Sequence, residues 1–176
     1  RILLTEQYER NAGIKKGLHE EREKETGGTL VIGLAPGDGI GSIITRETKN
    51  VLSELLSDEI SEGRVELKDI TGLTIEERLE AGETVPDEVL QQLEGCDVFL
   101  KGPTTTPNAS MSGKNLESAN VFLRRKFDLF ANVRPVKVDE EGIDWIFFRE
   151  NTEGEYALGS KGIRIGDEVA VDFKVT

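Results

Sequence analysis

At 176 residues, with 36% hydrophobic and 32% charged, the chain has the length of one ordinary domain or of a piece of a larger one, enough to bury a core. Twenty-two Lys+Arg against 34 Asp+Glu leave a net charge of −12, which repels nucleic-acid phosphates and anionic lipid, so neither partner is expected. No apolar run approaches the roughly 20 residues that cross a bilayer, and a single cysteine, Cys96, excludes an internal disulfide framework and fits a reducing, cytoplasmic compartment.

Residues 1–29 are dense in Glu and Lys, lack a signal-type apolar core and are too acidic for a transit peptide, so a peripheral extension is expected. Leu30–Ala35 is a short apolar run closed by Pro36-Gly37, suited to a strand buried in a parallel sheet. After Gly37-Asp-Gly-Ile-Gly41, Ser42 is expected to cap a helix whose apolar positions Ile44, Val51, Leu52, Leu55 and Leu56 recur at helical spacing. Val65–Ile70 alternates as a strand does, and Thr84–Gly95 has proline near a helix start and glycine past its end. Asp97–Leu100 is the next strand. Strands alternating with helices predict βαβ units and a mainly parallel sheet with flanking helices.

The rhythm changes after residue 100. A loop rich in Thr, Pro, Ser and Gly over 103–115 leads into a helix around Ala119–Lys126, and strands are expected at Leu129–Val138, Ile143–Phe148 and Glu168–Val175. The predicted organisation is an extension (1–29), the first part of a large α/β domain (30–129) and the start of a smaller β-rich domain (130–176). The chain opens at Arg1 and closes on Val175-Thr176 straight after an alternating run, so it reads as an excerpt of a longer protein.

Few residues offer chemistry. One histidine, His19, and one cysteine cannot make a Cys/His zinc site. Gly37–Gly41 sits where a phosphate loop would, but Ser42 departs from the dinucleotide pattern, which favours a tight structural turn. Asn120 and Arg124, four apart, can share one helical face. Arg134 and Arg149 stand at or near expected strand ends, in Asn-Val-Arg-Pro and Phe-Phe-Arg-Glu. Spacing alone leaves two readings open: a bidentate clamp for carboxylates, or local pairing with acids such as Asp128 and Glu150. Tyr156, among arginines, is either a general acid with a lowered pKa or a buried structural tyrosine.

Five segments in order resemble the β-decarboxylating dehydrogenases, the isocitrate and 3-isopropylmalate dehydrogenase family. They are Pro36-Gly-Asp-Gly-Ile-Gly41, Leu100-Lys-Gly-Pro-Thr-Thr-Thr-Pro107, Asn120-Val-Phe-Leu-Arg-Arg125, Asp128-Leu-Phe-Ala-Asn-Val-Arg-Pro135 and Phe148-Arg-Glu-Asn-Thr-Glu-Gly-Glu-Tyr156. The resemblance implies the α/β fold of that family, incomplete here. It implies that Arg124, Arg134 and Arg149 bind substrate carboxylates and that Tyr156 protonates the enolate left by decarboxylation. It places Thr105 near substrate and nicotinamide, with Lys101 supporting that loop. Ser118-Ala119-Asn120 looks like the isocitrate-type Ser-x-Asn; Ser118, at a helix N-terminus, offers a hydroxyl and free N–H groups to an anion. Glu117 would repel a tricarboxylate unless it turns outward.

The resemblance thus implies NAD- or NADP-dependent conversion of isocitrate to 2-oxoglutarate, a step of the tricarboxylic acid cycle, in a homodimer. The Mg²⁺ or Mn²⁺ ligands, a catalytic lysine and the adenosine loop are expected outside this segment, which alone should be inactive. 3-Isopropylmalate or homoisocitrate dehydrogenase and a non-catalytic regulatory subunit are the alternatives.

Overall fold

The computed structural model describes residues 28–107 and 116–154, the strand backbone at 163–165 and 169–171, and positions 5, 8, 9 and 12. Most of the expected N-terminal extension, the loop tip at 108–115 and Tyr156 lie outside the described residues.

A three-stranded parallel sheet forms the first layer. β1 (Leu30–Ala35) is central, flanked by β2 (Val65–Asp69) and β3 (Val98–Lys101) in the order β2-β1-β3. The register runs from Leu30↔Val65 to Leu34↔Asp69 on one side and from Ile32↔Val98 to Ala35↔Lys101 on the other. The apolar run of β1 suits this central position: Gly33, Leu34 and Ala35 are buried. Between the strands lie α1 (Gly41–Leu55), a short α2 (Ser57–Ser61), α3 (Ile75–Ala81) and α4 (Asp87–Glu94). The chain leaves β1 in one direction and returns across it in the other. Right-handed crossovers then put α1 and the α3–α4 pair on opposite faces.

The buried core fits that arrangement. It gathers Ala35, Ile70, Leu73, Val85, Val89, Leu90 and Leu93 with Ala119 and Leu123 of α5 (Ala119–Lys126), and takes nothing from α1. Phe99 and Phe127 close it, ring centroids 5.6 Å apart and tilted by 57°. Cys96 packs here too; burial pushes its thiol pKa up, as befits a packing residue.

Two local expectations are corrected. Ser42 does not cap α1: the helix begins at Gly41 with Ile40 before it. A Cβ at Gly41 would overlap the Pro36 carbonyl oxygen, so the missing side chain lets the first turn settle on the end of β1. That contact sets the phase of the helix. Thr45, one turn on, is buried, and the apolar series Ile44, Val51 and Leu55 faces outward instead. The helix α3 was not anticipated, being short and mostly charged. Its signal is a capping box: the Thr74 hydroxyl accepts from the Glu77 N–H while the Glu77 carboxylate accepts from the Thr74 N–H.

Beyond α5 the architecture changes. β4 (Ala131–Val138) and β5 (Ile143–Glu150) form an antiparallel ribbon over a 3-10 turn at Asp139–Glu141, pairing from Ala131↔Glu150 to Val138↔Ile143. β6 (Ile163–Ile165) and β7 (Val169–Val171) make a second antiparallel pair. Of the expected last strand, Glu168–Val175, β7 covers Val169–Val171, and the other positions lie outside the described residues; β6 was not foreseen. Arg134 lies inside β4 rather than at its end. β5 runs on through Arg149, since its pairing partner β4 continues to Ala131. Pro135 is tolerated because each strand of a two-stranded ribbon is an edge.

Candidate functional site at the ends of the parallel strands

Where strand order reverses in an open α/β sheet, the loops at the carboxyl ends of the two diverging strands leave a crevice suited to ligands. Here those strands are β1 and β3, and their loops are Pro36–Ile40 and Gly102–Pro107. The two loops are pressed together. Asp38 N–H donates to the Pro103 carbonyl at 2.7 Å and Gly102 N–H to the Ala35 carbonyl at 2.7 Å. A Cβ at Gly102 would overlap the Pro36 carbonyl oxygen. Gly41 and Gly102 therefore serve close backbone approach, in line with the tight-turn reading.

Thr105 is held by its backbone from both sides. Its N–H donates to Asp38 Oδ2 at 2.6 Å, and its carbonyl accepts from Arg78 Nη1 at 2.9 Å. Asp38 Oδ1 also accepts from Ile75 N–H at 2.6 Å, and Arg78 Nε donates to the Thr84 carbonyl at 2.7 Å. Arg78 is completely buried, and burial pulls its pKa down although the Asp38 charge opposes this. Beside it, Lys101 Nζ donates to the Gly102 carbonyl and, at 3.3 Å, to the Thr104 hydroxyl. Burial lowers the Lys101 pKa, aided by the charges of Arg78 and Arg124 and opposed by Asp38. Arg124 of α5 thus lies within electrostatic reach of the loop that carries Lys101 and Thr105. Lys101 thus has the charges of Arg78 and Arg124 on one side of the balance and that of Asp38 on the other.

α5 contributes next. Ser118 precedes the helix in extended conformation, and its hydroxyl makes no capping hydrogen bond. Asn120 and Arg124 follow, four residues apart and both half-buried. Glu117 turns to Arg125, whose Nη2 meets both carboxylate oxygens at 2.6 Å. That pairing neutralises the carboxylate beside the proposed anion site, so the expected repulsion is met by a partner on the same helix.

The ribbon supplies the remaining arginines. Residues opposite one another in an antiparallel pair share a face. Asn132/Arg149 and Arg134/Phe147 are such pairs, so both arginines lie on one face. Arg134 Nε donates to Asn132 Oδ1 at 2.8 Å, which links the two positions. The ribbon is tied to α5: Leu129 N–H donates to the Arg124 carbonyl at 2.8 Å, and Asn151 N–H to the Phe130 carbonyl at 2.9 Å. After β5, the Glu150 carboxylate accepts from the Thr152 N–H at 2.6 Å, the Thr152 hydroxyl at 2.7 Å and the Glu153 N–H at 2.8 Å. Desolvation would raise its pKa, but these hydrogen bonds outweigh it and hold the carboxyl below its ordinary value.

A family model described as isocitrate/isopropylmalate dehydrogenase matches residues 31–176. The chain belongs to the isocitrate/isopropylmalate dehydrogenase family. It is 40% identical over 138 residues to an NADP isocitrate dehydrogenase of Caldococcus noboribetus, covering 73% of this chain and 31% of that protein. It is 35% identical over 148 residues to the mitochondrial NAD isocitrate dehydrogenase subunit 2 of Saccharomyces cerevisiae, with 80% and 37% covered. A 3-isopropylmalate dehydrogenase of Bacillus licheniformis is 33% identical over 160 residues, with 80% and 42% covered. The chain therefore spans roughly a third of the length of these curated dehydrogenases.

Within the family frame, Lys101 ends β3, Thr105 lies in the loop after it, Ser118 precedes α5, Asn120 and Arg124 lie in its first and last turns, and Arg134 and Arg149 share one ribbon face; Tyr156 lies outside the described residues. Among the described residues no group of three or more His, Cys, Asp or Glu could hold a metal ion. Sequence reasoning missed Asp38 and Arg78. Asp38 lay within a quoted motif, but its partner Thr105 is 67 residues away and no local pattern reports that distance.

Proposed function

We propose that the longer protein to which this segment corresponds oxidises and decarboxylates isocitrate to 2-oxoglutarate with NAD or NADP. One observation carries the reading: Arg134 and Arg149 share a ribbon face that is hydrogen-bonded through its base to the helix presenting Ser118, Asn120 and Arg124. Three guanidinium groups suit a substrate with several carboxylates, each met by a planar fork. The Ser118 hydroxyl, unused in capping, is free of a duty that would compete with a third carboxylate. An isopropylmalate enzyme would gain nothing from polar groups there.

The roles follow from chemistry. Arg124, Arg134 and Arg149 orient the substrate by its carboxylates, and Ser118 and Asn120 meet the carboxylate particular to isocitrate. A bound nicotinamide would supply the hydride acceptor for the C2 carbon, and the hydroxyl proton would pass to a base outside this segment. Thr105 borders that junction and Lys101 supports its loop. After carbon dioxide leaves, Tyr156 delivers a proton to the C3 carbon of the enolate. The adenosine half of the cofactor and the ligands of Mg²⁺ or Mn²⁺ belong, in this reading, to residues outside this segment. A cytoplasmic homodimer, with residues 30–129 starting a large domain and 130–176 a smaller one, completes the reading.

The test is a substrate comparison on the full-length protein. Turnover of isocitrate far above that of 3-isopropylmalate or homoisocitrate is expected, and Ser118→Ala should lower kcat/KM for isocitrate by about tenfold or more, the effect of leaving a charged partner without its hydrogen bond. Turnover of the branched malate alone would replace the substrate assignment. Isocitrate binding without turnover would point to a regulatory subunit.

A further inference from the structure

Arg78 is a cation with no exposed surface on a seven-residue helix, and Nη2 has no partner among the described residues. Stability alone does not ask for it, since an apolar side chain of similar volume would fill the site without desolvating a charge. What the guanidinium does is reach two carbonyls, those of Thr84 and Thr105. Asp38 is equally specific, spending one carboxylate oxygen on the Ile75 N–H and the other on the Thr105 N–H. The two charges meet through the Thr105 peptide groups, which neither α3 nor β3 would otherwise fix.

We propose that Asp38 and Arg78 are positioning residues of the dehydrogenase reaction, gripping Thr105 by its N–H and its C=O so that its hydroxyl keeps one place at the crevice. The proposal rests on the reading that Thr105 borders substrate and nicotinamide. Neither residue touches the reacting atoms; both act through the loop. Hydride transfer is sensitive to such placement, because a displacement of about 1 Å at a reacting pair costs up to about a hundredfold in rate.

A double-mutant cycle on the full-length enzyme tests it. Asp38→Asn retains only one acceptor oxygen for two N–H donors and should lower kcat by about tenfold to a hundredfold, with KM for substrate changed by less than about threefold. Thr105→Ala should also damage turnover. The double variant should be within about threefold of the worse single variant, because both losses pass through one hydroxyl. If Asp38→Asn does not fold, Arg78→Lys takes its place in the cycle: it keeps the buried charge but cannot span two carbonyls. Effects that multiply, or a lowered melting temperature with unchanged kcat, overturn the positioning role while leaving the Thr105 assignment standing. A silent Thr105→Ala removes the Thr105 assignment and the proposal with it.

Discussion

The parallel-sheet region and the β4–β5 ribbon are both rich in apolar residues and bury them to different degrees. In the sheet region Leu34, Ala35, Ile70, Leu73 and Leu93 are buried almost completely. In the ribbon, Val133, Ile146 and Phe148 stand on one face with Pro135, and Val136, Trp145 and Phe147 on the other, all substantially exposed, Phe148 at 73%. The difference lies in what each region has to pack against. A βαβ winding carries its own cover, because each crossover lays a helix on the strands it joins. A hairpin has no third layer of its own, so both of its faces stay open until something else lies on them. The ribbon also carries Arg134 and Arg149, so two of the three arginines of the proposed substrate clamp rest on the less supported region.

The largest effect that would test this contrast comes from a matched pair of truncations. Leu93→Ala should destabilise the chain by about 2–5 kcal/mol in chemical denaturation, because it removes buried methyl groups and leaves a cavity. Phe148→Ser should change stability by no more than about 0.5 kcal/mol, as exposed substitutions do, while reducing binding of an apolar dye. Equal costs would mean that the ribbon is covered and that the contrast fails.

Turn glycines sharpen the comparison at a smaller scale. Gly102→Ala drives a methyl group into the Pro36 carbonyl and forces the β1 and β3 loops apart, at a cost of about 1–3 kcal/mol from overpacking. It should also disturb Lys101 and Thr105. Gly142, in the ribbon turn, has φ +65° but nothing near its missing side chain, so Gly142→Ala should cost only the left-handed penalty of about 1–2 kcal/mol. Amide exchange should separate them further, with Gly102→Ala loosening Thr105 and Gly142→Ala loosening only the hairpin tip.

The smallest effect concerns pH. Glu150 has its folded pKa held below the ordinary value, so its contribution is fully present above the unfolded carboxylate pKa and is lost as pH falls through the folded one. Denaturation midpoints of the parent chain and Glu150→Gln should therefore differ at neutral pH and converge in acid. A gap that persists in strong acid would show that the residue acts by packing rather than by its charge.

Much of the first region was legible in the sequence. β1 is bounded by its own punctuation, α4 by Pro86 and Gly95, and α5 was expected at the residues where it lies, because an apolar run, a proline or a helical period is a local signal that local geometry obeys. The site was legible as a set of motifs in order, which named Lys101, Thr105, Ser118, Asn120 and the three arginines through a family resemblance. Spacing alone left the arginines between clamp and local pairing. The strand register adds that Arg134 and Arg149 lie on one face with Asn132.

By itself, then, the sequence determined most of the segments that wind into strands and helices, α3 and β6 excepted, and through its ordered motifs it determined the family. Tertiary structure alone decided the outward phase of α1, the partner that neutralises Glu117, and the grip of Asp38 and Arg78 on Thr105. The physical reason is range. Periodicity and capping act over a few residues, whereas the Gly41 contact with Pro36 and the hydrogen bonds to Thr105 join backbone groups brought together only when β1 and β3 lie side by side.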